Sequence, residues 1–131
     1  MNQEEFIEEV ARRTGTAPHE AAAITQATMQ TLAERISGGQ ARDLALELPP
    51  QLRDHLRKRG EPAEPFGAPE FARRVSERAG VDAGQALRAF RAVLDTLREA
   101  VSIGEYEDAV AQLSAEFRQM LEPVHRPSAG A

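Results

Sequence analysis

Shifted by 65 residues, the second half of this chain lies on the first without a gap. Residues 5–56 and 70–121 share about 16 identities over 52 aligned positions, a level that reads as gene duplication. The pairs include Phe6/Phe71, Val10/Val75, Arg13/Arg78, Gly15/Gly80, Thr31/Thr96, Glu34/Glu99 and Ser37/Ser102. Asp43/Asp108, Leu48/Leu113, Arg53/Arg118 and Leu56/Leu121 extend the match. The fold must therefore solve one packing problem twice. A unit of about 55 residues buries too little surface to stand alone, so the two copies are expected to pack together.

Each copy reads as four helices. Asn2 with Glu5, and Gly67 with Glu70, stand at N-cap and N3 spacing for the first helix. Met1 and Phe66 precede those caps as hydrophobic staples. Gly15 and Gly80 supply the positive φ that ends these helices. The second helix, 18–37 and 83–102, is the longest; it starts at Pro18 in one copy and at an Asp82/Gln85 capping box in the other. Ala86, Phe90, Val93, Leu94, Leu97 and Val101 keep one apolar face for four turns. The matching stripe, Ala21, Thr25, Thr28, Met29, Leu32 and Ile36, is smaller and more polar. Thr25 and Thr28 are therefore expected to border solvent or to receive a partner's side chains.

Gly38-Gly39 and Gly104 are expected to break the long helix. A short third helix follows, with Ala41, Leu44, Ala45 and Leu48 inward, answered by Tyr106, Ala109, Val110 and Leu113. A fourth begins after Pro49-Pro50 or Ser114 and carries Leu52 and Leu56, or Phe117 and Leu121. No segment alternates with period two. The expected fold is all-α: two tandem four-helix repeats, 1–59 and 66–122, packed as one pseudo-two-fold helical domain. A stiff linker, 60–65, joins them, and a tail, 123–131, is expected to be disordered.

Composition narrows the function classes. Net charge is −5, which argues against a dedicated nucleic-acid binder, since phosphate neutralisation needs a basic surface. Cysteine is absent, excluding disulfides and thiolate metal sites. No apolar run approaches the roughly 20 residues that span a bilayer, and the acidic N-terminus is not a signal peptide. A soluble cytoplasmic protein is expected. Lys58 is the only lysine; with the abundant alanine, this reflects base composition rather than a functional device.

The linked elements Ser37-Gly38-Gly39, Arg42-Asp43 and Leu48-Pro49 resemble one bacterial family, as do the openings Glu5-Phe6-Ile7 and Pro69-Glu70-Phe71. That family is catalogued as domain of unknown function 2267, and the resemblance covers all but the tail. It implies a duplicated all-helical domain and carries no activity to transfer. The second copy departs from the pattern, with Ile103 for the first Gly and Ser114 for the Pro, so a function tied to those residues belongs to the first copy.

No catalytic, cofactor-binding or metal-ligating set is expected. His19, His55 and His125 lack metal-ligand spacing, and the carboxylates of Glu4, Glu5, Glu8 and Glu9 stand a turn from Arg12 and Arg13 as solvated pairs. Asp43 and Arg53, with Asp108 and Arg118, recur at one spacing; a bidentate pair across the turn is expected, the alternative being local capping by Asp43. The basic run Arg53, Arg57, Lys58 and Arg59 reads as cations at a helix C-terminus, or alternatively as an anion contact supported by Arg88, Arg91 and Arg98. The leading function is a non-enzymatic protein-interaction or adaptor module. Its expected surface comprises Thr25, Thr28, Ser37, Gly38, Gly39, Arg42, Arg57, Lys58 and Arg59. A nucleic-acid-associated protein using the basic run and a small-ligand binder or enzyme in the inter-repeat cleft are the alternatives.

Overall fold

The computed structural model describes residues 1–57 and 60–121. Lys58 and Arg59 of the basic run, His125 and the 123–131 tail lie outside the described residues. The described chain is all-helical: α1 Gln3–Thr14, α2 Pro18–Arg35, α3 Gly38–Leu46, α4 Pro50–Arg53 continued by a 3-10 turn Asp54–Leu56, α5 Ala68–Ala79, α6 Ala83–Ala100, α7 Ile103–Ala111 and α8 Ala115–Leu121. Adding 65 to the bounds of α1, α2 and α3 gives those of α5, α6 and α7. No helix among the described residues is long and apolar enough to cross a membrane.

Local chemistry sets these boundaries. Asn2 and Glu5 form a reciprocal capping box on α1, and Asp82 and Gln85 form one on α6. Gly15 and Gly80 close α1 and α5 at φ 68° and 69°, where a Cβ would be strained. Phe66 packs on Phe71 as a staple, ring centroids 6.2 Å apart. The Gly67/Glu70 box does not form, because glycine has no acceptor to offer. Glu116 of α8 takes its place, accepting from the Ala68 amide at 2.8 Å, while Glu70 turns to Arg73 and Arg74. The glycines do not break the long helices either. Ile36 and Val101 turn extended one residue after Arg35 and Ala100, and Ser37 and Ser102 then cap α3 and α7, whose first turns hold the glycines.

The two halves interleave. α1 lies against α2 of its own half and α6 of the other; α5 lies against α6 and against α2. The long helices touch directly, as do α3 and α7. One continuous core results, holding Phe71, Phe90, Leu94, Leu97 and Phe117 together with Phe6, Met29 and Leu32. In the second half Phe71 meets Phe90 and Phe117 edge-on, centroids 4.9 and 5.6 Å apart, a geometry aromatic rings favour. The equivalent first-half positions are Phe6, Thr25 and Leu52, all fully buried.

Thr25 and Thr28 accordingly correct the expectation of a solvent border. Both side chains are 0% exposed, and neither hydroxyl has a hydrogen-bond partner. Surrounding helices cover that face of α2, so it offers no docking surface.

Candidate interaction surface

The seam between the halves is built from reciprocal polar contacts. Arg13 on α1 reaches α6, donating to the Thr96 hydroxyl at 2.7 Å and to Glu99 at 2.6 Å. Arg78 on α5 reaches α2, donating to the Thr31 hydroxyl at 2.9 Å and to both Glu34 oxygens at 2.8 Å. These six residues are the same three pairs exchanged between halves. Thr31 and Thr96 are buried, and each hydroxyl also donates one turn back along its helix, to Ala27 and Ala92. The caps follow the same rule. Ser37 N–H donates to Gln112 Oε1 at 2.7 Å, and Ser102 N–H donates to Glu47 Oε1 at 2.6 Å, positions 47 and 112 being equivalent. Gln40 and its own equivalent, Glu105, bond to each other at 3.0 Å.

Arg35 breaks this pattern, since its equivalent is Ala100. It lies over the Phe117 ring and donates to the Phe66 and Gln112 carbonyls at 2.7 and 3.0 Å. It thus pins the second half to the end of α2.

A cleft of about 600 Å³ lies at the seam, lined by Gln30, Glu34, Arg57, Gly60, Glu64 and Arg78 among others. Burial pushes the Glu34 carboxyl up, but Arg78 and Arg74 outweigh that and hold it below the ordinary carboxylate value. Arg74 also engages Glu64 and Glu70. Hydrogen bonds from Arg73 and Arg74 hold Glu70 down to about 2. Glu34, Glu64 and Arg78 of its lining are committed to ion pairs within the chain, while among the described residues Arg57 pairs only with the exposed Asp54 outside the cleft.

The Gly38-Gly39 element meets the linker. Gly38 N–H donates to the Glu61 carbonyl at 2.8 Å and Gly39 N–H to the Glu61 carboxylate at 3.0 Å, with Arg42 3.3 Å from the same group. A Cβ on Gly38 would stand 2.9 Å from the Gly60 carbonyl, which explains the glycine. Ser37 is committed to its cap and to Gln112. Of the expected first-copy surface, Ser37, Gly38 and Gly39 are thus occupied within the chain, and Arg42 and Arg57 stay largely in solvent, 71% and 82% exposed.

The Asp43/Arg53 pair is not made. Arg53 turns back and donates to the Leu48 carbonyl at 3.0 Å, an open acceptor beyond the end of α3. No ion pair joins Asp43 to Arg53 or Asp108 to Arg118 among the described residues. Ion pairs that do cross between the halves include Arg13–Glu99 and Arg78–Glu34. Their signal was present in the sequence, since all of these residues recur at the 65-residue shift.

Between α3 and the 3-10 turn lies an open groove of about 420 Å³. Ala45, Leu46 and Leu56 supply its apolar lining; Arg42, Arg53 and Arg57 ring it. Leu46 is 71% exposed, the most open of the large apolar side chains described, and Ile103 follows at 55%. They flank one bond of the seam, that between Glu47 and Ser102, each being the chain neighbour of one partner. No group of His, Asp and Glu that could hold a metal ion occurs among the described residues.

Among the described residues the chain is an all-helical protein whose helices pack on one common core. The chain belongs to the family described as uncharacterized conserved protein (DUF2267), whose model matches residues 3–120. No curated protein matches it as a relative.

Proposed function

We propose that the chain is a single domain of two four-helix repeats related by an approximate two-fold axis, and that it serves as a non-enzymatic protein-interaction or adaptor module. Support for the symmetry comes from contacts that survive exchanging the halves: Arg13 with Thr96 and Glu99 becomes Arg78 with Thr31 and Glu34. Such mutual exchange is the mark of an isologous interface.

The function rests on one observation. Leu46 and Ile103 are both exposed, and each is the chain neighbour of one partner in the Glu47–Ser102 bond between α3 and α7. Single exposed apolar residues are ordinary; a pair flanking one seam is the beginning of a docking patch. The test compares the immobilised chain with a Leu46→Asp/Ile103→Asp variant of equal helicity and melting temperature. A protein retained from cell extract by the first and lost with the second, then shown to bind when purified, is the expected result. Retention that ignores both substitutions overturns the assignment.

A further inference from the structure

We infer that the groove between α3 and the 3-10 turn Asp54–Leu56 docks an acidic amphipathic segment of a partner protein, its apolar side chain on Leu46 and its carboxylates on Arg42, Arg53 and Arg57. This rests on the interaction-module assignment and names the partner's chemistry.

Charge complementarity carries the argument. Among the described residues, three guanidinium groups ring the groove and Asp54 is the one carboxylate in its lining. Asp54 pairs with Arg57 at 3.0 Å, and Glu61 pairs with Arg42 at 3.3 Å from outside. Both pairs are solvent-exposed, with side chains between 62% and 82% accessible. Exposed pairs of this kind contribute about 1 kcal/mol or less, so an incoming carboxylate can replace them. Arg53 spends Nε on the Leu48 carbonyl, which fixes its guanidinium beside the groove. Arginine suits this task because its planar fork takes a carboxylate through two parallel bonds.

The duplication supplies the control. At the 65-residue shift Arg42 corresponds to Glu107, Arg57 to Glu122 and Leu46 to Ala111. Arg53 recurs as Arg118, but the fold has no need of the other two rim arginines or of a large apolar residue at these positions. Both features occur together in the first copy, at one place.

Two other occupants fit less well. A nucleic acid would meet the arginines but leave Leu46 uncovered, and among the described residues no aromatic ring lines the groove for a base to stack on. A second copy of the chain could offer Ile103 beside Glu107 and Asp108, which makes self-association an outcome that the test must separate.

The experiment titrates the full chain into fluorescein-labelled helical peptides that share leucine positions and differ in carrying glutamate or lysine between them. Anisotropy should rise with the glutamate peptide alone. Binding should weaken at least tenfold in Arg42→Glu/Arg57→Glu and in Leu46→Asp, and should fall with salt; circular dichroism checks that the variants remain folded. Equal binding of both peptides, or glutamate binding that ignores the variants, overturns the inference. So does tighter binding of a labelled single-stranded oligonucleotide through the same arginines. A dimer in sedimentation that Leu46→Asp dissolves assigns the groove to a second copy and also overturns it. If the partner retained in the previous experiment is lost with Leu46→Asp and the glutamate peptide does not bind, the acidic chemistry fails while the interaction module stands.

Discussion

Thr25 and Thr28 bury hydroxyl groups that have no hydrogen-bond partner, at positions where the second half carries Phe90 and Val93. A buried hydroxyl without a partner bears its full desolvation cost, so exchanging it for a methyl of similar shape removes a burden. Thr25→Val and Thr28→Val should each raise stability by about 1 kcal/mol, read from urea unfolding. The reverse holds at Thr31, whose hydroxyl is held by both Ala27 and Arg78. Arg78→Ala should lower stability by about 1–2 kcal/mol, allowing for a side chain that is one-third exposed. A double-mutant cycle with Glu34→Gln should show coupling between the two positions. At this scale the sequence was legible in composition and misleading in pairing. Recurrence marked Arg13, Thr31 and Glu34 as strongly as Asp43 and Arg53. Chain proximity favoured the second set, whereas the bonds of the first cross between halves, where spacing along the chain carries no distance information.

Helices and their ends were the best-read features. Capping boxes, Pro18 at the first turn and positive-φ glycines act through neighbours within four residues, so the string of letters contains the whole cause. What the string hid was replacement from afar, as when Glu116 caps α5 across 48 positions. Gly80→Ala should cost about 1 kcal/mol through backbone strain alone, since open space surrounds the added methyl. Gly38→Ala meets a different obstacle, the Gly60 carbonyl and Glu61. That variant should release the linker and speed proteolytic cleavage near residue 61, leaving the overall helical content unchanged by circular dichroism.

For the molecule as a whole, acid is the natural probe. Glu70 has its pKa held down to about 2 by Arg73 and Arg74 from an ordinary 4.5, and Glu34 is held low as well. Groups depressed in the folded state favour folding above their unfolded pKa and lose that contribution as pH falls through the folded one. Stability should therefore decline as pH drops from about 4.5 towards 2, and Glu34→Gln should be less stable at neutrality and show a shallower acid slope. The groove remained beyond sequence reading because it joins α3 to a turn that folds back on it. The unit of folding is equally a property of the whole. Fragments 1–59 and 66–131 should each show little helix alone and regain it on mixing, because α1 lacks α6 in one and α5 lacks α2 in the other.

The interleaving of α1 and α5 between the two long helices has a consequence for covalent continuity. Every bond of the seam is indifferent to which chain supplies the opposite half; the connecting segment acts as a tether that fixes their effective concentration. A tether cut too short to span its anchor points would turn the same contacts outward, and two chains would exchange halves into a closed dimer with both seams restored. Its melting temperature would then rise with protein concentration.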